Sequence, residues 1–390
     1  MHQRARYATL SCIILMSFVA LYRKYSSILT VDDAQGLEFP GLEGEYTIMH
    51  PTLIPDPPPR PLPPVPLERG SDGPRANATF IILARNSDLQ GALLSVRQLE
   101  DRFNRRYHYP YVFLNEEEFT EDFKRRIRNL TPSKVEFGLI PKEAWFQPEW
   151  IDAEKAQAAM VRMERANVKY GGNLAYHNMC RFNSGFFFKH PLVLQYEWYW
   201  RVEPNIKFHC DIIDDPFMYM VQNNKTYGFT LSVYEIPATI KNLWLTVKDF
   251  MTEYPEYILP SSVNALDFIS NDGGRSYNRC HFWSNFEIAS LGFWRSEAYT
   301  AFFEFLDKTG GFYYERWGDA PVHSIAAALM LPRSSIHLFE EIGYQHDDWS
   351  HCPRSQELWE RGRCLCTEKD SFDYSWDSCR PKWDSLVATG

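Results

Sequence analysis

Residues 79–84 read TFIILA, an unbroken apolar and β-branched run closed by Arg85 and Asn86. A strand without polar alternation is one buried on both faces, as in a parallel sheet covered by helices. Behind it, residues 88–103 place Leu89, Leu93, Val96, Leu99 and Phe103 at helical spacing, which makes an apolar stripe. YVFLN at 111–115 is expected as a second strand and 135–140 as a third. Strand, helix and strand in that order predict an α/β fold with right-handed crossovers. Open sheets of this kind bind nucleotides at the C-terminal ends of their strands. Arg85 stands at such an end and could grip a diphosphate or a base edge; a solvent-exposed loop arginine fits the sequence equally well.

Further along, residues 152–169 are expected as a helix with Ala and Met on its inner face, stopped by Gly171-Gly172. YEWYWRV at 196–202 is an aromatic strand leading to Glu203, and YGFTLSV at 227–233 is another leading to Tyr234-Glu235. Two strands thus each deliver a glutamate at or just past their C-terminal edge. Prolines crowd residues 51–66, and such a stretch can neither pair in a sheet nor continue a helix. Residues 25–75 are therefore expected as a stem, 76–350 as the catalytic part, and 351–390 as a Cys-rich extension stapled to it by disulfides.

At the N-terminus His2, Arg4 and Arg6 precede an apolar run over residues 8–22, and Arg23 and Lys24 follow it. With basic residues directly behind the run and no clear small-residue cleavage site, residues 1–24 are expected as a cytoplasmic tail and type II signal anchor, not a cleaved leader. The run is short for a spanning helix, which suits thinner early-secretory membranes. Everything beyond it would be luminal. Cysteine usage agrees: beyond Cys12 there are Cys180, Cys210, Cys280, Cys352, Cys364, Cys366 and Cys379. An oxidising lumen permits disulfides, and an odd count leaves at least one thiol free or intermolecular. Asn77, Asn129 and Asn224 stand in N-x-S/T sequons, Asn129 the poorest because Pro132 follows Thr131. The 390 residues carry a formal charge of −9, which argues against a general nucleic-acid binder.

No P-loop, G-x-S-x-G or H-E-x-x-H pattern occurs. What does occur is a set of acidic residues amid aromatics: Glu203, Glu235, Glu287 in WSNFE and Asp319 in ERWGD, with His323 and His346 nearby. Transfer from a sugar diphosphate needs such a set. A divalent cation offsets the leaving diphosphate and takes oxygen ligands with an imidazole. A further carboxylate faces the anomeric carbon of an oxocarbenium-like transition state. Residues 277–287 (YNRCHFWSNFE) mix Arg279, His281, Ser284 and Asn285 with large apolar groups, suiting a sugar- or nucleotide-binding wall or a packed core motif.

Four segments, YHNMCRFNSGFFF (176–188), YWRVEPNIKFHCDI (199–212), YNRCHFWSNFEIA (277–289) and GGFYYERWGDAPVHSIAAAL (310–329), resemble the fungal Golgi α-1,2-mannosyltransferases of glycosyltransferase family fifteen. The likeness runs from about residue 76 to 351, and the anchor and proline-rich stem are similar to that family's layout. The resemblance implies a GT-A type fold with a mixed, mainly parallel sheet, GDP-mannose as donor, Mn²⁺ as cofactor and retention of the α configuration. It also implies roles. Glu203 stands where other GT-A enzymes carry an Asp-x-Asp metal motif. Glu235 and His346 match manganese ligands. Glu287 matches the residue proposed as nucleophile, Tyr176 a tyrosine near the anomeric carbon, Asp319 an acidic residue near sugar and acceptor, and Arg85 an arginine near the nucleotide. Gln345 departs from the second histidine familiar before the ligand, which leaves the ligand itself in place.

The expected reaction is transfer of mannose to a mannose-terminated O- or N-linked glycan of glycoproteins, in protein glycosylation and cell-wall mannan synthesis at the Golgi membrane. Retention follows either from a covalent intermediate on Glu287 or from front-face attack, in which the departing phosphate takes the acceptor proton and Glu287 only stabilises charge. Front-face attack is preferred, since the leaving diphosphate is itself a competent base. Mannosylphosphate transfer, a retaining glycosidase using Glu203 and Glu287, and a catalytically silent mannan-binding protein are the alternatives.

Overall fold

Ala78–Leu83 (β1) lies inside the sheet, paired along both of its edges, and its side chains sort by parity. Phe80 and Ile82 enter one apolar core and Ile81 enters another, so the strand is covered on both sides. The same split recurs in Tyr111–Asn115 (β2), where Tyr111 and Phe113 face one core and Val112 and Leu114 the other. The computed structural model describes residues 73–388, within a unit spanning 64–390. The anchor expected over 1–24 and nearly all of the stem expected over 25–75 lie outside the described residues. Among the described residues no helix is long and apolar enough to cross a membrane.

The remaining strands are Val135–Leu139 (β3), Trp198–Val202 (β4), Lys207–Phe208 (β5), Tyr227–Phe229 (β6), Ser232–Tyr234 (β7), Cys280–Phe282 (β8), Glu287–Ser290 (β9), Ile336–Leu338 (β10), Tyr344–His346 (β11) and Trp349–His351 (β12). Seven make one sheet in the order β10-β6-β9-β4-β1-β2-β3. Its pairings are parallel except for β9, which runs antiparallel to both β4 and β6. The fold is therefore α/β with a mixed central sheet, mainly parallel.

Three expectations need correction. The run over 227–233 is not one strand: β6 joins the main sheet, and β7 turns away to pair with β8 in a two-stranded sheet. The helix behind β1 is α-helical only over Leu89–Leu99 and widens into a π turn over Glu100–Asn104. The helix expected to 169 spans Ala153–Arg165, with Asp152 capping it through a bond from the Lys155 N–H. Asn167 and Tyr170 take left-handed φ of 53° and 59°, so the chain leaves the helix before the glycines.

Three disulfides form: Cys210–Cys364, Cys280–Cys379 and Cys352–Cys366. The first two tie the last forty residues back to the segment after β5 and to β8. Cys180 is the free thiol among the described residues, and it is buried.

Candidate active site

The C-terminal end of β4 carries Glu203, and the end of β7 carries Glu235. β11 ends on His346. The loop between β8 and β9 carries Trp283, Ser284 and Asn285, and Asp319 opens the helix Asp319–Met330. All of these residues line one cleft of about 340 Å³, together with Tyr176 from the helix Leu174–Gly185. Five of the seven residues to which the resemblance gives a role (Glu203, Glu235, Tyr176, Asp319 and His346) thus meet in one place. Two do not. Arg85 does not line the cleft; its exposed guanidinium pairs with Asp88 at 3.1 Å. Glu287 is fully buried and borders a separate interior cavity of about 10 Å³.

Arg201 connects the cleft floor to Glu287. In β4 it lies directly across from Glu287 in β9, a cross-strand charge pair. Its guanidinium donates to Glu203 at 2.7 Å and to Asp319, and lies 3.8 Å from Glu287 Oε1. Ser284 donates to the same Asp319 at 2.7 Å. Burial works against the Arg201 charge, but Asp319, Glu203 and Glu287 outweigh it and hold the group well above its ordinary range. Burial likewise pushes the Asp319 carboxyl up, and Arg201 overrides it, leaving it below the usual range. On the far side Glu287 Oε2 meets His323 Nδ1 at 2.9 Å, and His323 Nε2 faces the Asn183 carbonyl at 3.0 Å. Both ring nitrogens thus face acceptors, a carboxylate on one side and a main-chain carbonyl on the other.

Glu235 is held by one oxygen. Ile236 N–H at 2.7 Å, Thr239 Oγ1 at 3.2 Å and Arg316 Nη2 at 3.2 Å all donate to Oε1, while Oε2 accepts from none of the described residues. Next to Oε2 the wall is Gly318, where a Cβ would come within 3.7 Å of it. His346 lies 5.6 Å from Trp283 between ring centroids, and its Nδ1 is 3.2 Å from Asn285 Nδ2. Burial keeps the Tyr176 phenol protonated, well above its ordinary range. Its ring stacks on Tyr170 at 4.5 Å and lies 5.4 Å from the Arg316 guanidinium.

Five carboxylates line the cleft (Glu203, Glu235, Asp319, Asp347 and Asp348), against Lys169, Arg201 and Arg316. Arg201 is already spent on Glu203 and Asp319. On so acidic a surface an added cation would offset the charge of a bound diphosphate. The free oxygen of Glu235 and the His346 imidazole suit one. Among the described residues no three His, Cys, Asp or Glu side chains gather as a metal group, so such a cation would take its other ligands from donor and water.

The sequence did not single out Arg201, Arg316 or Tyr170. For Arg201 a signal existed: it is the one charge inside the strand WYWRV. A charge there is rarely buried without a partner.

Residues 59–387 match the family model described as glycolipid 2-alpha-mannosyltransferase. The chain belongs to that family. It is a family of glycosyltransferases, as the four motifs implied. The chain is 51% identical over 314 residues to the α-1,2 mannosyltransferase KTR1 of Saccharomyces cerevisiae, covering 80% of this chain and 79% of the relative. It is 50% identical over 309 residues to glycolipid 2-alpha-mannosyltransferase 2 of Candida albicans, covering 79% and 67%. The fold matches the mannosyltransferase Ktr4p of S. cerevisiae in complex with GDP, with a TM-score of 0.76 at 41% identity over 80% of this chain and 82% of that one. It matches core-mannan synthase A of Aspergillus fumigatus in its Mn/GDP form equally well, with a TM-score of 0.76 at 37% identity over 82% and 88%.

Proposed function

We propose that this protein is a retaining α-1,2-mannosyltransferase of GT-A type that moves mannose from GDP-mannose to a mannose-terminated glycan of glycoproteins. The observation that carries the proposal is the meeting of Glu235 and His346 on one acidic cleft at the strand ends. Glu235 Oε2 and the His346 imidazole would hold Mn²⁺, which when bound neutralises charge on the diphosphate as it departs. The remaining residues bind and orient. Arg316 adds a positive charge beside Glu235. Tyr176, protonated and stacked, borders the position of the sugar. Asp319, fixed by Arg201 and Ser284, offers a carboxylate to donor and acceptor hydroxyls, and Glu203 marks the donor side. Arg85, outside the cleft, would reach the nucleotide only by exchanging Asp88 for it.

Glu287 contacts the cleft through Arg201, an arrangement that favours front-face attack. A nucleophile must approach the anomeric carbon, whereas a buried carboxylate can still balance positive charge from behind. The same burial disfavours a hydrolase built on Glu203 and Glu287, because that mechanism needs both carboxylates at the sugar.

The layout belongs to the same proposal: a cytoplasmic tail and signal anchor over 1–24, a stem over 25–75, a catalytic domain over 76–350 and a Cys-rich extension over 351–390. So do a single-pass type II setting in the Golgi membrane and a place in mannan synthesis. The test is GDP release from GDP-mannose with a panel of α-mannoside acceptors, with and without Mn²⁺. Metal-dependent release with an α-1,2-linked product is expected. Release of mannose from mannobiose without donor would overturn the proposal.

A further inference from the structure

The geometry points to Asn285 as the residue that sets the tautomer and orientation of His346, and so as a determinant of Mn²⁺ affinity. The inference rests on the proposal above that His346 is a metal ligand. A neutral imidazole has one bare nitrogen and one N–H, and only the bare one can ligate. Which is which follows from the hydrogen bond made by the other. Nδ1 of His346 lies 3.2 Å from Asn285 Nδ2. The nearest carboxylate oxygen, Asp347 Oδ2, is 3.8 Å away, beyond hydrogen-bond reach. Asn285 is thus the hydrogen-bond partner of the ring among the described residues.

With the amide NH₂ toward Nδ1, Nδ1 accepts and Nε2 carries the proton, which leaves no free lone pair for a metal at Nε2. With the amide turned over, Oδ1 accepts from Nδ1–H, and Nε2 is bare. The two amide orientations fill the same volume, so cation binding selects the second. The support is rigid. The main-chain carbonyl of Asn285 accepts from the Tyr344 hydroxyl at 3.0 Å, and buried Tyr344 sits two residues before His346 on β11. The loop bearing Asn285 and the strand bearing His346 are therefore tied at two points. Asn285 is a positioning residue and acts through His346.

Mn²⁺ affinity of the full chain, measured by electron paramagnetic resonance in the presence of GDP, tests this without turnover. Asn285→Ala should weaken Kd about 10- to 100-fold, the usual effect of removing a ligand's hydrogen-bond support. Asn285→Ser, too short to reach the ring, should do the same and keeps the comparison if the alanine variant does not fold. Asn285→Asp, whose ionised carboxylate only accepts, holds Nδ1–H in place and should stay close to wild type. Wild-type affinity in the alanine or serine variant, with His346→Ala strongly weakened, would overturn the inference and leave the ligand assignment standing. Equal loss in Asn285→Asp and Asn285→Ala would overturn it too. Wild-type affinity in His346→Ala would remove the ligand assignment and this inference with it.

Discussion

Arg316 donates to Oε1 of Glu235 over 3.2 Å, and both side chains are buried. Stripping a buried guanidinium of its carboxylate costs about 3–5 kcal/mol. Glu235→Ala is therefore expected to lose stability as well as Mn²⁺-dependent turnover. Glu235→Gln keeps a carbonyl oxygen for Ile236, Thr239 and Arg316, so it should hold most of the stability and still lose the turnover. Thermal melts beside GDP-release assays separate the two effects. A glutamine variant with near-normal rates at limiting Mn²⁺ would contradict the ligand role.

Glu287 shows no exposed surface, and among the described residues its Oε1 accepts no well-formed hydrogen bond, with Arg201 3.8 Å away. Glu287→Gln removes charge behind Arg201 without removing a nucleophile. The expected loss is about 10²-fold in kcat, the scale of one preorganised electrostatic group. Mass spectrometry of protein quenched during turnover should show no mannosyl adduct. An adduct on Glu287 would establish the covalent route instead.

His351 and Asp373 give the C-terminal segment a pH signature. Burial alone would pull the His351 imidazole down, but the Asp373 carboxylate at 2.7 Å raises it above its ordinary value. Burial pushes Asp373 up, and His351 with Arg380 brings it below its ordinary value. The histidine's contribution is full below about pH 6.5 and fades as pH rises through its raised folded value. The aspartate's is full above about pH 3.9 and fades as pH falls through its depressed folded value. Between pH 6.5 and 9 the melting temperature of the wild type should fall more steeply than that of His351→Gln. Parallel slopes would show that the pair contributes nothing.

Much of this arrangement was legible from local pattern. TFIILA and YVFLN announce strands because their side chains are almost all apolar or β-branched, with no charge among them, and both strands are covered on two faces. The glutamates after β4 and β7 were placed from strand ends alone. What stayed hidden depends on distant partners. YGFTLSV carries no mark of the change of sheet at residues 230–231, since β7 leaves to meet β8, which lies nearly fifty residues later. WSNFE shows a glutamate beside cleft residues, yet the parity of β9 points it inward at Arg201 and His323. Disulfide pairing was equally out of reach, because Cys210–Cys364 and Cys280–Cys379 join residues 154 and 99 positions apart without any local signal.

Cys280–Cys379 closes a span of 99 residues. A cross-link of that length contributes about 2–5 kcal/mol, mainly by restricting the unfolded chain. Replacing both cysteines by serine should lower the unfolding free energy by that amount, read from urea midpoints under non-reducing conditions. Because Cys280 begins the strand that leads into Trp283 and Asn285, affinity for GDP should fall as well. An unchanged midpoint would mean that β8 is held by packing alone.

One cation is expected between Glu235, His346 and the donor diphosphate. A crystal structure with GDP and Mn²⁺, with anomalous scattering recorded, tests it most directly. A single strong peak is expected within coordination distance of Glu235 Oε2, a ring nitrogen of His346 and the diphosphate oxygens. A peak elsewhere, or GDP bound outside this cleft, would contradict it.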